Sequence, residues 1–179
     1  MKLLPEIRLR ACERTDADRA YEFFGDMEFR ALVLPGTIMP ISREQEVAFI
    51  ERLVNPKDKE KAFEFAVENE RGEYIGNCGY FDASHKNRTC YIGVGIGDKS
   101  CWGKGYGTAA LRKLLEFLFR EKNMRKVLLN VFAFNKRAIA SYKKLGFKEE
   151  ACLREQIYRD GKYHDEYTMA MFAKDFKGG

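Results

Sequence analysis

The stretch GVGIGDKSCWGKGYGT, residues 93–108, holds six of the chain's 15 glycines and carries the first indication of the fold. Gly93, Gly95 and Gly97 alternate along a predicted strand, so they project from one face of it. A strand stripped of side chains on one face is weakened unless a bulge or a ligand needs the backbone there. The pattern therefore predicts that a bound molecule approaches the main chain of this strand.

The second half of the stretch, residues 102–108, leads into an amphipathic helix predicted over 105–120. Alternating glycines before a helix N-terminus expose successive backbone N–H groups, and the helix dipole favours an anion there. Lys104 adds a positive charge. The loop predicts a phosphate-type ligand, and the alternative is a glycine turn with a purely structural role.

Two common phosphate-binding motifs fit this segment poorly. A P-loop requires GxxxxGK[ST], but five residues separate Gly97 from Gly103, and Gly105 stands where the metal-binding hydroxyl belongs. A GxGxxA fingerprint does occur at residues 105–110. It lacks the acidic residue expected about 20 positions further on, because the next predicted strand, 126–134, contains none.

Residues 102–107, WGKGYG, resemble in their glycines the acetyl-coenzyme A loop, [QR]xxGx[GA], of the GNAT superfamily of N-acetyltransferases. Trp102 replaces the usual Gln or Arg, a form similar to the ribosomal-protein-acetylating (RimJ/RimL-like) branch. Residues 135–147, NKRAIASYKKLGF, resemble the second signature of the superfamily, N-x-x-A-x-x-x-Y-x-K-x-G-F, about 30 residues after the loop. The ending YRDGKYHD, residues 158–165, is similar to the closing hairpin of that branch.

This resemblance covers essentially the whole chain and implies an acyltransferase that moves an acetyl group from acetyl-CoA directly to a primary amine. The acceptor would be a protein N-terminus, a polyamine or a small-molecule amine, and homodimers are common in the family. A non-catalytic acyl-CoA-binding regulator of the same fold is the alternative. The coenzyme-binding residues that the motifs indicate are Val94, Gly95, Ile96, Trp102, Gly103, Lys104, Gly105, Tyr106, Gly107, Thr108, Asn135, Arg137, Ala138, Tyr142 and Lys144.

Tyr142 is the expected catalytic acid. Its helical spacing from Ala138 and Ile139 places it on an inward face, where a core aromatic is the simpler interpretation. The resemblance implies instead that it lies near the coenzyme sulfur and protonates the departing thiolate. Asn135 is in the first instance a helix cap.

The general base is left open by the sequence. Many relatives in this branch carry Glu just before the Ile-Gly of the central strand, where this chain has Tyr91, and a free tyrosine titrates near ~10. Asp82, at the end of the preceding strand, is a possible substitute, although aspartate there is more often a turn former. A water relay or an already neutral amine are further alternatives.

The predicted elements follow the order β, α, α, β, β, β, α, β, α, β, β. They indicate an α/β (α+β) fold in one domain, residues 1–179, with a mixed, mostly antiparallel sheet of about seven strands and about four helices. The resemblance implies that the central strands splay. Residues 26–40 are predicted to be an apolar loop which, with the hairpin at 158–164, borders the path of the acceptor amine.

Composition narrows the remaining classes. At 45% hydrophobic and 33% charged residues the chain is neither disordered nor collagen-like. No apolar run is long enough to span a bilayer or form a signal peptide, so a cytoplasmic location is expected. Five scattered cysteines and two isolated histidines (His85 and His164) predict reduced thiols and no metal site.

The positive charge is concentrated in one part of the chain. Residues 101–150 hold 12 Lys/Arg against 4 Asp/Glu, within a chain of net charge +5. A basic segment of this kind suggests a local anionic partner, or otherwise a solvated helix face. Nucleic acid is disfavoured as that partner, since no RNA- or DNA-binding signature accompanies the charge.

Overall fold

Seven strands form one sheet in the computed structural model, which describes residues 3–178; the ends of the predicted domain lie outside the described residues. The strands are β1 (Arg8–Ala11), β2 (Phe63–Glu68), β3 (Tyr74–Ser84), β4 (Thr89–Ile96), β5 (Lys126–Phe132), β6 (Lys148–Arg159) and β7 (Lys162–Phe172). They lie in the order β1-β2-β3-β4-β5-β7-β6, with β4 and β5 parallel and the other neighbours antiparallel. The predicted mixed, mostly antiparallel sheet is confirmed.

Within residues 3–178 five α-helices cover the sheet, one more than predicted: α1 (Ala17–Gly25), α2 (Met27–Val33), α3 (Arg43–Val54), α4 (Tyr106–Glu116) and α5 (Lys136–Leu145). A capping box between Ser42 and Gln45 starts α3, and Asn135 caps α5 through the N–H of Ala138. Gly146 ends α5 in the left-handed conformation (φ 106°) that glycine adopts at little cost.

The prediction of a loop over residues 26–40 was wrong for its first half, which forms α2. The side chain of Asp26 accepts a hydrogen bond from the N–H of Phe29 (3.0 Å), the geometry of a helix N-cap. The prediction of a loop rested mainly on Pro35 and Gly36, but these residues follow the helix and do not interrupt it. The apolar residues assigned to a loop therefore lie on a short helix packed against the sheet.

The two faces of the sheet carry different helices. On one face α1, α2 and α3 pack around a cluster that includes Phe23, Phe29 and Ile50; we call it the α1–α3 face. On the other, α4 and α5 pack against a larger core that includes Ile92 and Leu129; we call it the α4–α5 face. Odd-numbered residues of β4 from 91 to 95 point toward the first face and even-numbered ones toward the second, because side chains alternate along a strand.

Strands β4 and β5 separate after a short paired region. Their register joins Thr89 to Lys126, Cys90 to Val127 and Tyr91 to Leu128. Beyond this point β4 continues to Ile96 and β5 to Phe132 without further pairing between them in the part of the chain that is described. The predicted splay of the central strands is confirmed, and it opens a wedge-shaped gap in the sheet.

Two of the three alternating glycines make room for aromatic side chains. A Cβ at Gly97 would lie 2.3 Å from Cγ of Phe23, and one at Gly95 would lie 3.1 Å from Cζ of Phe29. Helix packing is therefore a direct reason for glycine at these two positions. Gly93 differs, since the nearest atom to its Cβ position is Cε1 of Phe81 at 4.0 Å, and the space above it is open.

Candidate functional site

A cavity of about 710 Å³ passes through the gap between β4 and β5 and opens on both faces of the sheet. Fourteen of the fifteen predicted coenzyme-binding residues line it. Lys104, the exception, lies exposed on the glycine loop beside it. On the α4–α5 face the lining residues include Thr108, Arg137, Ala138, Ser141, Tyr142 and Lys144. On the α1–α3 face they include Phe24, Phe29, Leu32, Phe49, Glu64 and Phe81.

The glycine loop turns tightly at the start of α4. Gly103 and Gly105 both have positive φ (72° and 98°), a conformation that other L-residues adopt at a cost. Gly105 is the N-cap of α4 and provides no side chain to its first turn. The first N–H groups of a helix have no intrahelical partner. They therefore lie at the cavity wall as donors for an anion.

Trp102 fastens this loop to the end of β4. Its indole N–H donates to the carbonyl of Ile96 (2.6 Å), and its ring lies under the guanidinium of Arg137 at 4.1 Å from the centroid. Arg137 belongs to α5, so the contact joins the two predicted motifs. Lys99 also approaches the ring, at 5.5 Å. Trp102 thus has a positioning role in the place where the family usually has Gln or Arg.

The edge of β4 presents main-chain groups to the gap. The N–H of Gly97 donates to Ile75 in β3 (2.9 Å), whereas the carbonyl of Ile96 accepts from Trp102 outside the sheet. Because main-chain groups point alternately to the two sides of a strand, Val94 and Ile96 direct theirs away from β3 and into the gap. The Ile96 carbonyl is taken by Trp102, whereas the N–H groups of Val94 and Ile96 and the carbonyl of Val94 face the gap, where β5 has already diverged.

The other predicted coenzyme-side residues hold the walls in place. The Tyr106 hydroxyl donates to the carboxylate of Glu70 (2.7 Å), and this hydrogen bond raises the pKa of Tyr106 to about 12. Because the hydroxyl is engaged there, Tyr106 contributes its main chain to the glycine loop. The hydroxyls of Thr108 and Ser141 hydrogen-bond at 2.6 Å and join α4 to α5. Asn135 caps α5 and donates its amide to the carbonyl of Leu32 (3.5 Å).

Tyr142 lies on the inner face of α5, where it lines the cavity and contacts the ring of Phe147 (6.1 Å between centroids). Burial raises its pKa to about 12, so the phenol is protonated at neutral pH. Among the described residues no hydrogen bond to the phenol contributes to this shift in pKa. It is therefore available as a proton donor inside the cavity.

The two residues considered as bases from the sequence lie elsewhere. Asp82 is exposed, has a left-handed φ of 50°, and lies at the irregularity where the β3–β4 register breaks. The ring of Tyr91 stacks on Phe81 (5.8 Å between centroids). Neither residue is among the cavity-lining positions described for this chain, so the structure does not bring them to Tyr142.

A carboxylate that the sequence did not single out lines the same cavity. Glu64 of β2 is paired across the sheet with Gly79, and Gly79 with Gly93. No side chain therefore stands between the Glu64 carboxylate and the open space above Gly93. A Cβ at Gly79 would collide with the carbonyl oxygen of Phe63 (2.4 Å), which keeps this row clear.

Burial raises the pKa of Glu64, because desolvation disfavours its charged form. Within the described chain no cation or hydrogen-bond donor offsets this rise in the pKa of Glu64. In the sequence Glu64 is one of many glutamates in the chain, and it lies on a strand in which apolar and polar residues alternate, so nothing distinguishes it. Only the cross-strand row of glycines, which arises from the register, could have identified it.

Glu166 of β7 is a second acidic residue at the cavity, and burial also raises its pKa. It pairs in register with Phe132 of β5, so it borders the opposite side of the gap from Glu64. The side chains of Asn130 and Phe132 lie on the same face of the sheet as Glu166. The cavity thus has cationic side chains on the α4–α5 face and carboxylates on the α1–α3 face.

A family profile described as an acetyltransferase (GNAT) domain matches residues 6–148. Over 174 residues the chain is 26% identical to an N-acetyltransferase of Bacillus licheniformis, p20, described as uncharacterized, covering 96% of each chain. It is 30% identical over 91 residues to the ribosomal protein uS5 alanine N-acetyltransferase of Escherichia coli K12, covering 50% of this chain and 46% of that one.

Among solved structures, the spermidine N-acetyltransferase of Vibrio cholerae in complex with CoA and spermine has a TM-score of 0.81 at 22% identity, covering 94% of this chain and 96% of that one. At this identity the likeness concerns the fold. The chain belongs to the GNAT acetyltransferase family. The predicted family, fold and N-acetyltransferase class are confirmed.

No helix within residues 3–178 is long and apolar enough to cross a membrane.

Proposed function

We propose that the chain transfers an acetyl group from acetyl-CoA to a primary amine, with Tyr142 as proton donor and Glu64 as proton acceptor. The observation that carries this proposal is the cavity through the splayed strands. It has N–H donors and cations on one face, carboxylates on the other, and Tyr142 on its wall. Those two environments suit an anionic coenzyme and a cationic acceptor respectively.

The coenzyme side fits the chemistry of acetyl-CoA. The first-turn N–H groups of α4 and the glycines at 103 and 105 would hold the pyrophosphate. The cations Arg137 and Lys144 line the same side. The N–H groups of Val94 and Ile96 that point into the gap would hold the pantetheine arm and polarise the thioester carbonyl, an effect commonly worth a few kcal/mol.

Acetyl-CoA supplies an acetyl group on a thioester: the amine nitrogen forms a bond to the acetyl carbon, the carbon–sulfur bond breaks, and the electron pair leaves on sulfur. Tyr142 donates its phenolic proton toward the leaving sulfur. Glu64, directly or through one water, accepts the proton that the amine loses. The raised pKa values of both groups suit these roles, because the phenol stays protonated and the carboxylate becomes a stronger base.

We further propose a cytoplasmic location, a single domain over residues 1–179 and an acceptor that is either a small-molecule amine or a protein N-terminus. The uS5 alanine N-acetyltransferase and the spermidine N-acetyltransferase support both kinds of acceptor. Homodimerisation is proposed from the family alone. Light scattering on the purified chain would decide it, with a mass near 20.8 kDa indicating a monomer.

The test of the proposed function has two parts. Thermal unfolding with acetyl-CoA, CoA, NAD and ATP in parallel identifies the coenzyme, since a ligand at ~100 times its dissociation constant adds about 2.7 kcal/mol. Free-thiol release then measures turnover with mixed primary amines. Stabilisation by the CoA species together with amine-dependent thiol release is the expected result.

Each other outcome has a definite meaning. Stabilisation by the CoA species with no thiol release from any amine would favour the non-catalytic acyl-CoA-binding regulator. Stabilisation by NAD or ATP alone would contradict the assignment of the glycine loop. Salt-sensitive binding to random RNA would support the nucleic-acid alternative that the basic segment left open.

A further inference from the structure

Aromatic side chains form the cavity wall on the α1–α3 face. The rings of Phe24 and Phe29 meet edge to face, 5.3 Å between centroids, and Phe24 lies 6.2 Å from Phe49 of α3. Leu32 of α2 and Phe81 of β3 continue this apolar wall. We call the space that these five residues enclose the aromatic chamber. It is a preformed apolar compartment that adjoins the proposed reaction site.

Phe81 lies where the aromatic chamber meets a second cavity. Its side chain is 45% exposed although it is apolar, and it borders the open space over Gly93. The second cavity has a volume of about 370 Å³ and shares Glu64, Phe81 and Gly93 with the first. Its lining also includes Arg52, an exposed residue in the last turn of α3. The two cavities therefore converge on the Glu64 carboxylate.

The aromatic chamber carries little charge. Glu64 is its one carboxylate among the described lining residues, because Glu166 lies four strands further across the sheet. Since β4 and β5 diverge between them, a strand spacing of about 4.8 Å sets a lower bound of roughly 19 Å on the separation of their backbones. One ammonium cannot contact both. An additional ammonium of a polyamine held at Glu64 would, inside the aromatic chamber, lie against apolar side chains, which is costly without a partner.

Helix α2 covers the aromatic chamber, and contacts from other elements hold this helix in place. Arg159 of the β6–β7 hairpin donates to the carbonyl of Leu34 (2.8 Å), just after α2. Asn135 holds the carbonyl of Leu32, and Lys99 bridges the start of α2 through Asp26 (2.6 Å). Three separate elements thus hold α2 over the gap. Such a covered chamber suits a small molecule better than an extended polypeptide.

We propose that the acceptor is a small primary monoamine with an aromatic or aliphatic body, whose ammonium lies at Glu64 and whose body packs against Phe24, Phe49 and Phe81. This inference rests on the proposed function for its chemistry, since acetylation of the amine follows from it. Binding of the amine can be measured independently. One cationic end and an apolar body match the single carboxylate and the aromatic wall.

The test uses 2-phenylethylamine, ethylamine, spermidine and an alanine-initiated tetrapeptide as probes with the full chain. Ligand-detected NMR with saturating CoA measures binding, and thiol release with acetyl-CoA measures kcat/KM. We expect 2-phenylethylamine to bind, and its kcat/KM to exceed those of ethylamine and spermidine by at least about tenfold. Spermidine or the peptide ranking first would overturn the inference and leave the proposed function intact.

A variant pair locates the effect. Phe81→Ala should remove most of the advantage of 2-phenylethylamine over ethylamine, and its exposed position makes misfolding a small concern. Val47→Ala, at an equally exposed apolar position (40%) on α3 outside both cavities, should preserve the preference. Failure of 2-phenylethylamine to bind the CoA-loaded chain would also overturn the inference. Binding without any acetylation would support the ligand class and contradict the proposed transfer.

Discussion

The two faces of the cavity are built in different ways. On the α4–α5 face, most of the ligand-facing groups are main-chain N–H donors and side chains from two short segments, residues 102–108 and 135–147. On the α1–α3 face, they are side chains contributed by separate elements, with Phe24, Phe49, Glu64 and Phe81 on α1, α3, β2 and β3. A coenzyme is common to a whole family, whereas an acceptor differs between members. The first face can therefore be a local motif, and the second depends on how distant elements meet.

The largest effect expected on the α4–α5 face is that of Tyr142→Phe. Removal of the hydroxyl should lower kcat by about 10³-fold, within the range for a general acid, and leave coenzyme affinity unchanged. Steady-state thiol release and calorimetric titration with CoA measure the two quantities. Tyr21→Phe, at a half-buried tyrosine on α1 that lines neither cavity, serves as the matched control. Unchanged turnover in the Tyr142 variant would remove its acid role.

On the α1–α3 face the corresponding change is Glu64→Gln. We expect kcat/KM at neutral pH to fall by about 10²-fold, because the variant cannot accept the amine proton. In the unsubstituted chain the protonated carboxyl is inactive. The pH profile of kcat/KM should therefore fall on acidification through a pKa above the usual glutamate range, and Glu64→Gln should abolish that acid limb.

Glu166→Gln separates the two carboxylates. Burial raises the pKa of both, but only Glu64 has a row of glycines leading to the gap. The Glu166 variant should keep the acid limb. If instead it loses the limb while Glu64→Gln retains it, the base belongs on β7, on the other side of the gap.

The difference between the α4–α5 face and the α1–α3 face also explains how much of the site could be predicted from the sequence. The sheet and the coenzyme wall follow from residues close together in the chain, such as the Gly103–Gly105 turn and the Asn135 cap, and the splay was expected from the family resemblance of those motifs. Glu64 could not be found, because its role depends on a register that pairs it with Gly79 and then Gly93. Asp82 and Tyr91 were chosen by closeness in sequence to the central strand, but neither is among the described cavity-lining residues, since Asp82 lies at the break in the β3–β4 register and Tyr91 stacks on Phe81.

Helix α2 was missed for a related reason. Seven residues, Met27–Val33, are too few for a helical period to stand out, and Pro35-Gly36 gave a strong loop signal. Packing of Phe29 against the bare backbone of Gly95 stabilises the helix in the fold. The sequence therefore predicted a loop on the acceptor side of the cavity, where the structure has a helix packed against the sheet.

A smaller effect is expected from Gly105→Ala in the coenzyme loop. Its left-handed φ of 98° and the approach of a Cβ to within 3.3 Å of Leu4 and Pro5 should lower the free energy of unfolding by about 1–2 kcal/mol. Because the strain falls on the N-terminus of α4, CoA affinity should also fall about tenfold.

Gly161→Ala is the control for backbone strain. Gly161 also has positive φ (77°), in the β6–β7 turn, with open space around its Cβ position. It should lose a similar amount of stability and keep full CoA affinity, as measured by chemical denaturation and calorimetry. Equal losses of affinity in both variants would mean that the α4 N-terminus is not where the anion binds.

The smallest effect concerns the contact between Arg137 and Trp102, which joins the two motifs of the α4–α5 face. A cation over an exposed aromatic ring contributes about 0.5–1 kcal/mol, so Arg137→Met should weaken CoA binding by about two- to fivefold. Trp102 is the chain's single tryptophan, so its fluorescence reports on this wall alone. The variant should shift the emission of the free chain and reduce the change caused by CoA. Arg125→Met is the control, because it removes a similar contact with Phe172 away from the cavity. It should alter neither the emission of the free chain nor the change caused by CoA. A matching shift in the Arg125 variant would show that the emission responds to global changes and not to the loop.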